Sequence, residues 1–535
     1  MKNLLQNNKT LAFLLLVFAA LLPALIFRQL NPTNELNYLA IGADALKRGT
    51  LFAFYQDGAP YADKPPLYLW LGMVSYKLMG CHGFLLLLGS ALPFIYILYL
   101  SADYFARGRG QCYKLQLMLC LCAALFMLGM ALTARMDMLF TALIMLCSIL
   151  LCERLYLYRQ GVQKLPYGLA LPLAMFAAIF VKGPYALIFP LAALLFATWY
   201  LGCLKDYFKI FRPYFFLILL ACTALWGLCV YFDGGLEYLK ELFVGQSSKR
   251  LSGSTGHPEP FYWYLTNIWY LAMPAALPLL YIYYKDFKSG FLRHDVKAAF
   301  CAFFVLAVLV VVSIPSSKLE IYVLPALPFA LIYLTSALER LQHERSVLLR
   351  LLLGLNFLPF VLLFPALFFF TAKYPFLSSP FIYGAALLLS LGALIALVLT
   401  VKNQLVKATA QMGGAMLAFI FVLAFALPQV NPYLSVEDAA LQASRAIDEQ
   451  GAPHKVCVIG IAKEQNLVLY DPRFEVLDLD PLSPLCQDAQ IIVGRSTLRS
   501  RPELKAAVSA LGGVMVGDNM LYTRGQSADA AAAAQ

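Results

Sequence analysis

The sequence predicts an all-α polytopic membrane protein that carries a small C-terminal α/β extracytoplasmic domain. Three observations predict it: an apolar composition, a succession of about thirteen stretches of roughly twenty apolar residues, and a change to polar, patterned sequence after residue 427. Of 535 residues, 61% are hydrophobic and 13% charged, with 39 Phe, 31 Tyr and a mean hydropathy of +0.72. Soluble domains carry about twice that share of charge.

The apolar stretches cover residues 11–30, 83–101, 113–132, 138–153, 166–181, 185–201, 213–231, 265–284, 298–314, 322–338, 347–371, 380–400 and 408–427. The first is long for a secretory signal and shows no small-residue cleavage pattern before Asn31, so it reads as a retained anchor. Basic residues fall in alternate connections: Lys2 and Lys9, then Arg107, Arg109 and Lys114, then Arg154, Arg159 and Lys164, and so on to Lys402 and Lys407. Short basic loops stay cytoplasmic. The N-terminus is therefore expected inside and the C-terminal segment outside, and the net charge of +11 is topological rather than a nucleic-acid footprint.

Residues 1–427 form one expected unit and 428–535 a second. In the second, 456–459, 474–477 and 490–493 read as strands, 437–449 and 502–511 as helices, and the run from Ala530 to Ala534 as a disordered tail. Gly460, Gly494, Gly512 and Gly513 mark turns rather than a phosphate loop. Ten of the twelve cysteines lie in or beside apolar spans and behave as small hydrophobes. Cys457 and Cys486 stand apart, as a disulfide or as two thiols.

Ionisable groups in such a chain are costly and mark function by default. Under this topology they gather on the outer face. The loop 31–82 brings Asn34, Glu35, Asp63 and Lys64 between amphipathic patterns at 34–48 and 66–80 that suit the membrane interface. Arg135 and Asp137 follow at the next outer junction, and Lys182 ends the fifth span. The loop 232–264 adds Lys249, Arg250 and His257, and Lys318 precedes the tenth span. Lys64, Arg135, Lys182, Arg250 and Lys318 suit a lipid phosphate at headgroup depth. Glu35 is the candidate base, with Asn34 and Asp137 beside it, and Asp63 with His257 is a candidate ligand pair for a divalent ion such as Zn, Mg or Mn. Each has a structural alternative: Glu35 as a helix-start acid, Arg135 and Asp137 as a bundle pair, Asp63 and Lys64 as a pair across a turn, Lys182 as a snorkelling cation.

Asn34-Glu35-x-x-Tyr38, Asp63-Lys64-Pro65-Pro66, Arg135-x-Asp137, Lys182-Gly183-Pro184 and Ser317-Lys318-Leu319 with Tyr322 and Pro325 occur in this order. In these motifs the chain resembles GT-C membrane glycosyltransferases, above all the bacterial aminoarabinose lipid A transferases and more distantly the protein O-mannosyltransferases. The resemblance implies a GT-C fold and transfer of a sugar from a polyprenyl-phosphate donor, with inversion, to a lipid or protein acceptor at the periplasmic face of a bacterial inner membrane. It implies membrane lipids as surroundings, no nucleic acid, and action as a monomer. Asn34 stands where the family has Asp. An amide cannot take a proton, so Glu35 takes the role, Asn34 only orients the acceptor, or this branch has changed or lost its chemistry.

Overall fold

The computed structural model describes residues 2–79, 83–211, 214–245, 258–461, 463–480, 483, 486 and 488–523. Nine of its helices are long and apolar enough to cross a bilayer. These are α1 (Lys2–Phe27), α4 (Gly83–Phe105), α7 (Met136–Arg159), α10 (Tyr214–Lys240), α13 (Val296–Ser313), α14 (Glu320–Glu344), α15 (Val347–Lys373), α16 (Pro380–Val401) and α17 (Leu405–Leu434). Two further segments are bent pairs: α5 (Gln111–Cys122) meets α6 (Leu125–Ala131) at 81°, and α11 (Trp263–Leu271) meets α12 (Ala276–Ser289) at 111°. Two shorter apolar helices, α8 (Ala170–Lys182) and α9 (Tyr185–Tyr200), bring the apolar segments to one for each predicted stretch. The chain is a multi-pass membrane protein. The apolar pattern does not reveal the two bends, because hydropathy is blind to direction.

Two helices outside this set, α2 (Glu35–Arg48) and α3 (Pro66–Met79), frame a short antiparallel hairpin of β1 (Tyr55–Gln56) and β2 (Ala59–Pro60). Glu35, Leu36, Asn37, Tyr38 and Leu39 of α2 are all buried, between α3 and the C-terminal segment. The close approach of α2 to α3 requires Gly42, since a Cβ there would lie 2.8 Å from the Met73 nitrogen. The hairpin region is tied to α10 by Asp233, whose Oδ2 accepts from the amides of Leu51, Phe52 and Ala53 at 2.8, 2.5 and 2.8 Å.

After α17 comes α18 (Glu437–Gln450), then five strands: β3 (Lys455–Ile459), β4 (Glu475–Leu477), β5 (Gln490–Val493), β6 (Val514–Val516) and β7 (Asn519–Tyr522). Helices α19 (Arg495–Ser500) and α20 (Pro502–Ala510) lie between β5 and β6. The sheet order is β4-β3-β5-β7-β6, with β3 parallel to both neighbours and β7 antiparallel to both of its own. The hairpin β6–β7 is an addition to the three expected strands; its signal was the Gly517-Asp518 pair between two short apolar runs. Cys457 and Cys486 form a disulfide. The tail 524–535 lies outside the described residues.

This module is seated on the bundle by specific polar contacts. Asn431 Nδ2 donates to the Phe27 carbonyl at 2.7 Å, Gln29 Nε2 to Asp438 Oδ1 at 2.9 Å, and Asn466 Nδ2 to Asn37 Oδ1 at 3.4 Å. At this seam, burial, aided by neighbouring Asp438, pushes the Glu437 carboxyl up from 4.5 to about 7. A raised carboxyl favours the folded state most below its unfolded value, so the contribution is lost as pH rises from about 4.5 through about 7. Glu437→Gln is therefore expected to raise the thermal midpoint of the full chain at pH 8 and leave it nearly unchanged at pH 4.5; equal shifts at both would contradict this.

Candidate functional site

The bundle end near which α1 and α8 finish and α7 and α14 begin gathers most of the predicted charges. Arg135 is extended (φ −132°, ψ 147°) at the N-cap of α7, which places Asp137 in the first helical turn, where the helix dipole favours a carboxylate. Asp137 is buried and pairs with Arg135 at 3.3 Å and with Lys182. Lys182 ends α8 because Gly183 turns the chain at φ +80°, ψ −150°, a conformation open essentially to glycine, and Pro184 starts α9. The Lys182 ammonium also lies 5.0 Å from the centroid of the Tyr322 ring and 5.5 Å from that of Phe140.

The loop before α3 supplies the next pair. Pro66 opens α3 with its φ already set for a helix, and Lys64 and Asp63 form an ion pair just before it. Asp63 is the open carboxylate of the group, with 41% of its side chain exposed against 3% for Asp137. Lys64 lies close enough to Lys182 to repel it, and Tyr38 feels Asp137, Arg135, Asp63 and Tyr322 together. One cluster thus unites Tyr38, Tyr61, Asp63, Lys64, Arg135, Asp137, Lys182 and Tyr322. Burial drives the Tyr38 and Tyr61 hydroxyls well above their ordinary range, so they stay protonated and act as donors.

Glu35 is placed differently from the expected base. Its Oε2 accepts from Arg28 Nη2 at 2.6 Å and the Asn31 amide at 2.8 Å, and its Oε1 from the Ala134 amide at 2.6 Å. With 1% of its surface exposed, it fastens α1, α2 and the turn before Arg135 to each other. In this geometry its three bonds hold those segments together. Asn34 is exposed and its side chain makes no cap bond to α2. Lys318 is buried, with its ammonium donating to the carbonyls of Glu259, at 3.2 Å, and Pro315; it ties the segment before α11 to the one before α14. Lys249, Arg250 and His257 lie outside the described residues. Among the described residues no group of three or more His, Cys, Asp or Glu is placed to hold a metal, and Asp63 has Lys64 as its partner.

Sequence reading missed Lys463. It leaves the end of β3 in a left-handed conformation (φ 57°), its ammonium reaches Gln56 Oε1 at 3.5 Å, and it senses Asp57, Asp63 and Lys64. Burial holds it below the usual lysine range. The connection after β3 runs to β4 on one side and the connection after β5 to the β6–β7 hairpin on the other, and the carboxyl ends of two such strands are where open sheets place ligand contacts. A cavity of about 210 Å³ lies beside the connection after β3, lined by Asp44, Lys47, Tyr55, Gln56, Asp57 and Gln465. Nothing local to Lys463 in the sequence signals this.

The three bonds to Glu35 predict that Glu35→Gln lowers the thermal midpoint, with roughly 1–3 kcal/mol lost because one oxygen becomes an amide facing donors. Asn34→Ala is expected to leave it unchanged. Full stability of Glu35→Gln together with lost turnover would return Glu35 to the chemistry.

No protein-family model matches the chain, and no curated protein matches it. Two solved structures do: ArnT from Cupriavidus metallidurans bound to undecaprenyl phosphate, with a TM-score of 0.71 and 18% identity over 96% of this chain and 97% of that one, and ArnT from the same organism in the apo state, at 0.67 and 17% over 96% and 98%. The chain therefore has the GT-C fold of these proteins, from its first helix through its C-terminal sheet.

Proposed function

We propose that the chain is a glycosyltransferase that moves a sugar from a polyprenyl-phosphate donor to a hydroxyl or phosphate of a cell-envelope acceptor, lipid A or another glycolipid. The observation that carries this reading is the cluster itself: three cations, Lys64, Arg135 and Lys182, face two carboxylates at one end of an apolar bundle. Such a group lacks a negative charge, and a lipid phosphate at headgroup depth supplies one. The fold is that of a protein crystallised with undecaprenyl phosphate.

In this reading the acceptor oxygen attacks the anomeric carbon, the bond from that carbon to the phosphate oxygen breaks, and polyprenyl phosphate leaves with the charge that Lys64, Arg135 and Lys182 stabilise. Asp63, the exposed carboxylate of the cluster, takes the acceptor proton, and Tyr38 and Tyr61 donate hydrogen bonds. The cluster faces the periplasm of a bacterial inner membrane, the N-terminus lies in the cytoplasm, residues 1–427 form the transferase unit and 428–535 a periplasmic domain, and one chain suffices. Arg250 joins as a cation from its own loop, while Lys318, bonded to the Glu259 and Pro315 carbonyls, holds its loop in place.

Two experiments test this. Mass spectrometry of envelope glycolipids and periplasmic glycoproteins, from cells with and without the chain, is expected to show one sugar mass lost from a lipid. Loss confined to peptides would favour a protein acceptor, and no change would overturn transfer. Lys64→Met is expected to lower kcat/KM about 100-fold or more at unchanged thermal midpoint, the scale of losing one preorganised charge contact.

The alternative role for Asp63, ligation of a divalent ion together with His257 in place of proton acceptance, is tested by metal analysis of the purified chain. One equivalent, lost in both Asp63→Ala and His257→Ala, supports it; no bound ion in the wild-type chain overturns it.

A further inference from the structure

At the other end of the bundle lies a second and larger cavity, of about 710 Å³. Helix α14 starts beside the charged cluster and ends at this cavity, so the two lie roughly 35 Å apart at 1.5 Å per helical residue. Its walls come from Gln116 of α5 and from the regions where α14 passes to α15 and α16 to α17, and they include Arg345, Arg350, Lys402 and Lys407. No ion pair to any of these four occurs among the described residues. The wall also holds a carboxylate, Glu339, which is paired with Arg109.

Two buried polar atoms in this wall have no partner among the described residues: Arg350 Nε, a donor, and Asn403 Oδ1, an acceptor. The rest of each side chain is anchored, since Arg350 Nη1 donates to the Val401 carbonyl at 3.2 Å and Asn403 Nδ2 to that of Gln342. Four cations without an ion-pair partner among the described residues, three of them facing solvent, and an orphan donor suit an anion with several acceptor oxygens. The orphan acceptor asks for a hydroxyl. Beside the cavity the helices turn apolar and outward: Val401, in its wall, is 73% exposed, Val347 70% and Leu351 57%. An occupant therefore has an anionic, hydroxyl-bearing head and an apolar body.

We infer that this cavity binds the headgroup of an anionic phospholipid of the phosphatidylglycerol type. Its phosphodiester lies against Arg350 and Lys402, a glycerol hydroxyl donates to Asn403 Oδ1, and the acyl chains run along the outer faces of α15 and α16. Basic pockets between membrane helices select anionic headgroups in this way. A zwitterionic headgroup brings an ammonium towards four cations and is disfavoured. None of these residues belongs to the charged cluster, so the lipid site stands whether or not the chain transfers a sugar.

Native mass spectrometry of the full chain, released from nanodiscs of equal phosphatidylglycerol and phosphatidylcholine, tests it. The wild-type chain is expected to retain phosphatidylglycerol in preference to phosphatidylcholine. Arg350→Gln with Lys402→Gln is expected to weaken retention about fivefold per cation removed, as about 1 kcal/mol per charge implies. Lys205→Gln with Lys209→Gln, equally basic but elsewhere, is expected to leave it unchanged. Should the double variant fold poorly, Asn403→Asp keeps a residue tolerant of the left-handed backbone (φ 60°) there while placing a negative charge in the cavity; it is expected to lose retention, whereas Asn403→Gly, which loses the same bond to the Gln342 carbonyl without adding charge, is expected to keep preferring phosphatidylglycerol. Equal retention by wild type, the Arg350 and Lys402 double variant and Asn403→Asp overturns the inference. So does stabilisation by millimolar inorganic phosphate equal to that by phosphatidylglycerol, which would mark a site for a soluble anion.

Discussion

The buried carboxylate of Asp137 is the constraint on which the charged end of this molecule rests. It lies in the first turn of α7 with a cation on either side, Arg135 from the chain just before it and Lys182 from the end of α8. Removing charges from water is costly, and a buried pair is held only where geometry and hydrogen bonds compensate. Here the helix terminus and both cations do so. The consequence is mechanical: while Asp137 is ionised, the end of α8 and the start of α7 cannot separate without leaving charges unpaired in an apolar setting. The two ionic partners also remain turned towards the space where Lys64 and Tyr322 stand.

A second layer of fastening fixes that space from behind. Glu35 collects donors from the end of α1, from the turn before α2 and from the turn before α7. Asp233 collects three amides of the loop after α2. In both cases a carboxylate from one segment satisfies backbone amides of another that lack helical partners, which turns irregular loops into defined walls. Tyr238 extends the same scheme, accepting from the Phe54 amide at 3.1 Å and donating to the Tyr61 carbonyl at 2.9 Å. The C-terminal module closes the arrangement by laying Lys463 and Asn466 over the hairpin and α2.

Much of this architecture is legible in the order of residues alone. Each apolar stretch forms a helix or a bent helical pair, since about twenty apolar residues have few other ways to satisfy their backbone in lipid. Lys182-Gly183-Pro184 and Asp63-Lys64-Pro65-Pro66 are readable as places where glycine or proline punctuates a helix next to a cation, and both cations stand in the cluster. Glu35 is legible as important but not in kind. Its sequence neighbours describe an acid at a helix start, while one of its three donors, the Ala134 amide, lies 99 positions away.

The sequence by itself determined the membrane class, the order of the spans, the polar C-terminal module and the end of the bundle where the cations gather, because hydropathy and helix punctuation act over a few adjacent residues. Only the tertiary structure decided that Asp137 is shared by two cations, that Glu35 is held by a guanidinium and two amides, that Lys463 reaches the hairpin, and that four cations line an opposite cavity whose carboxylate, Glu339, is taken by Arg109. Charge pairing and amide satisfaction depend on which loops meet in space, and segments tens to hundreds of residues apart carry no local mark of their meeting.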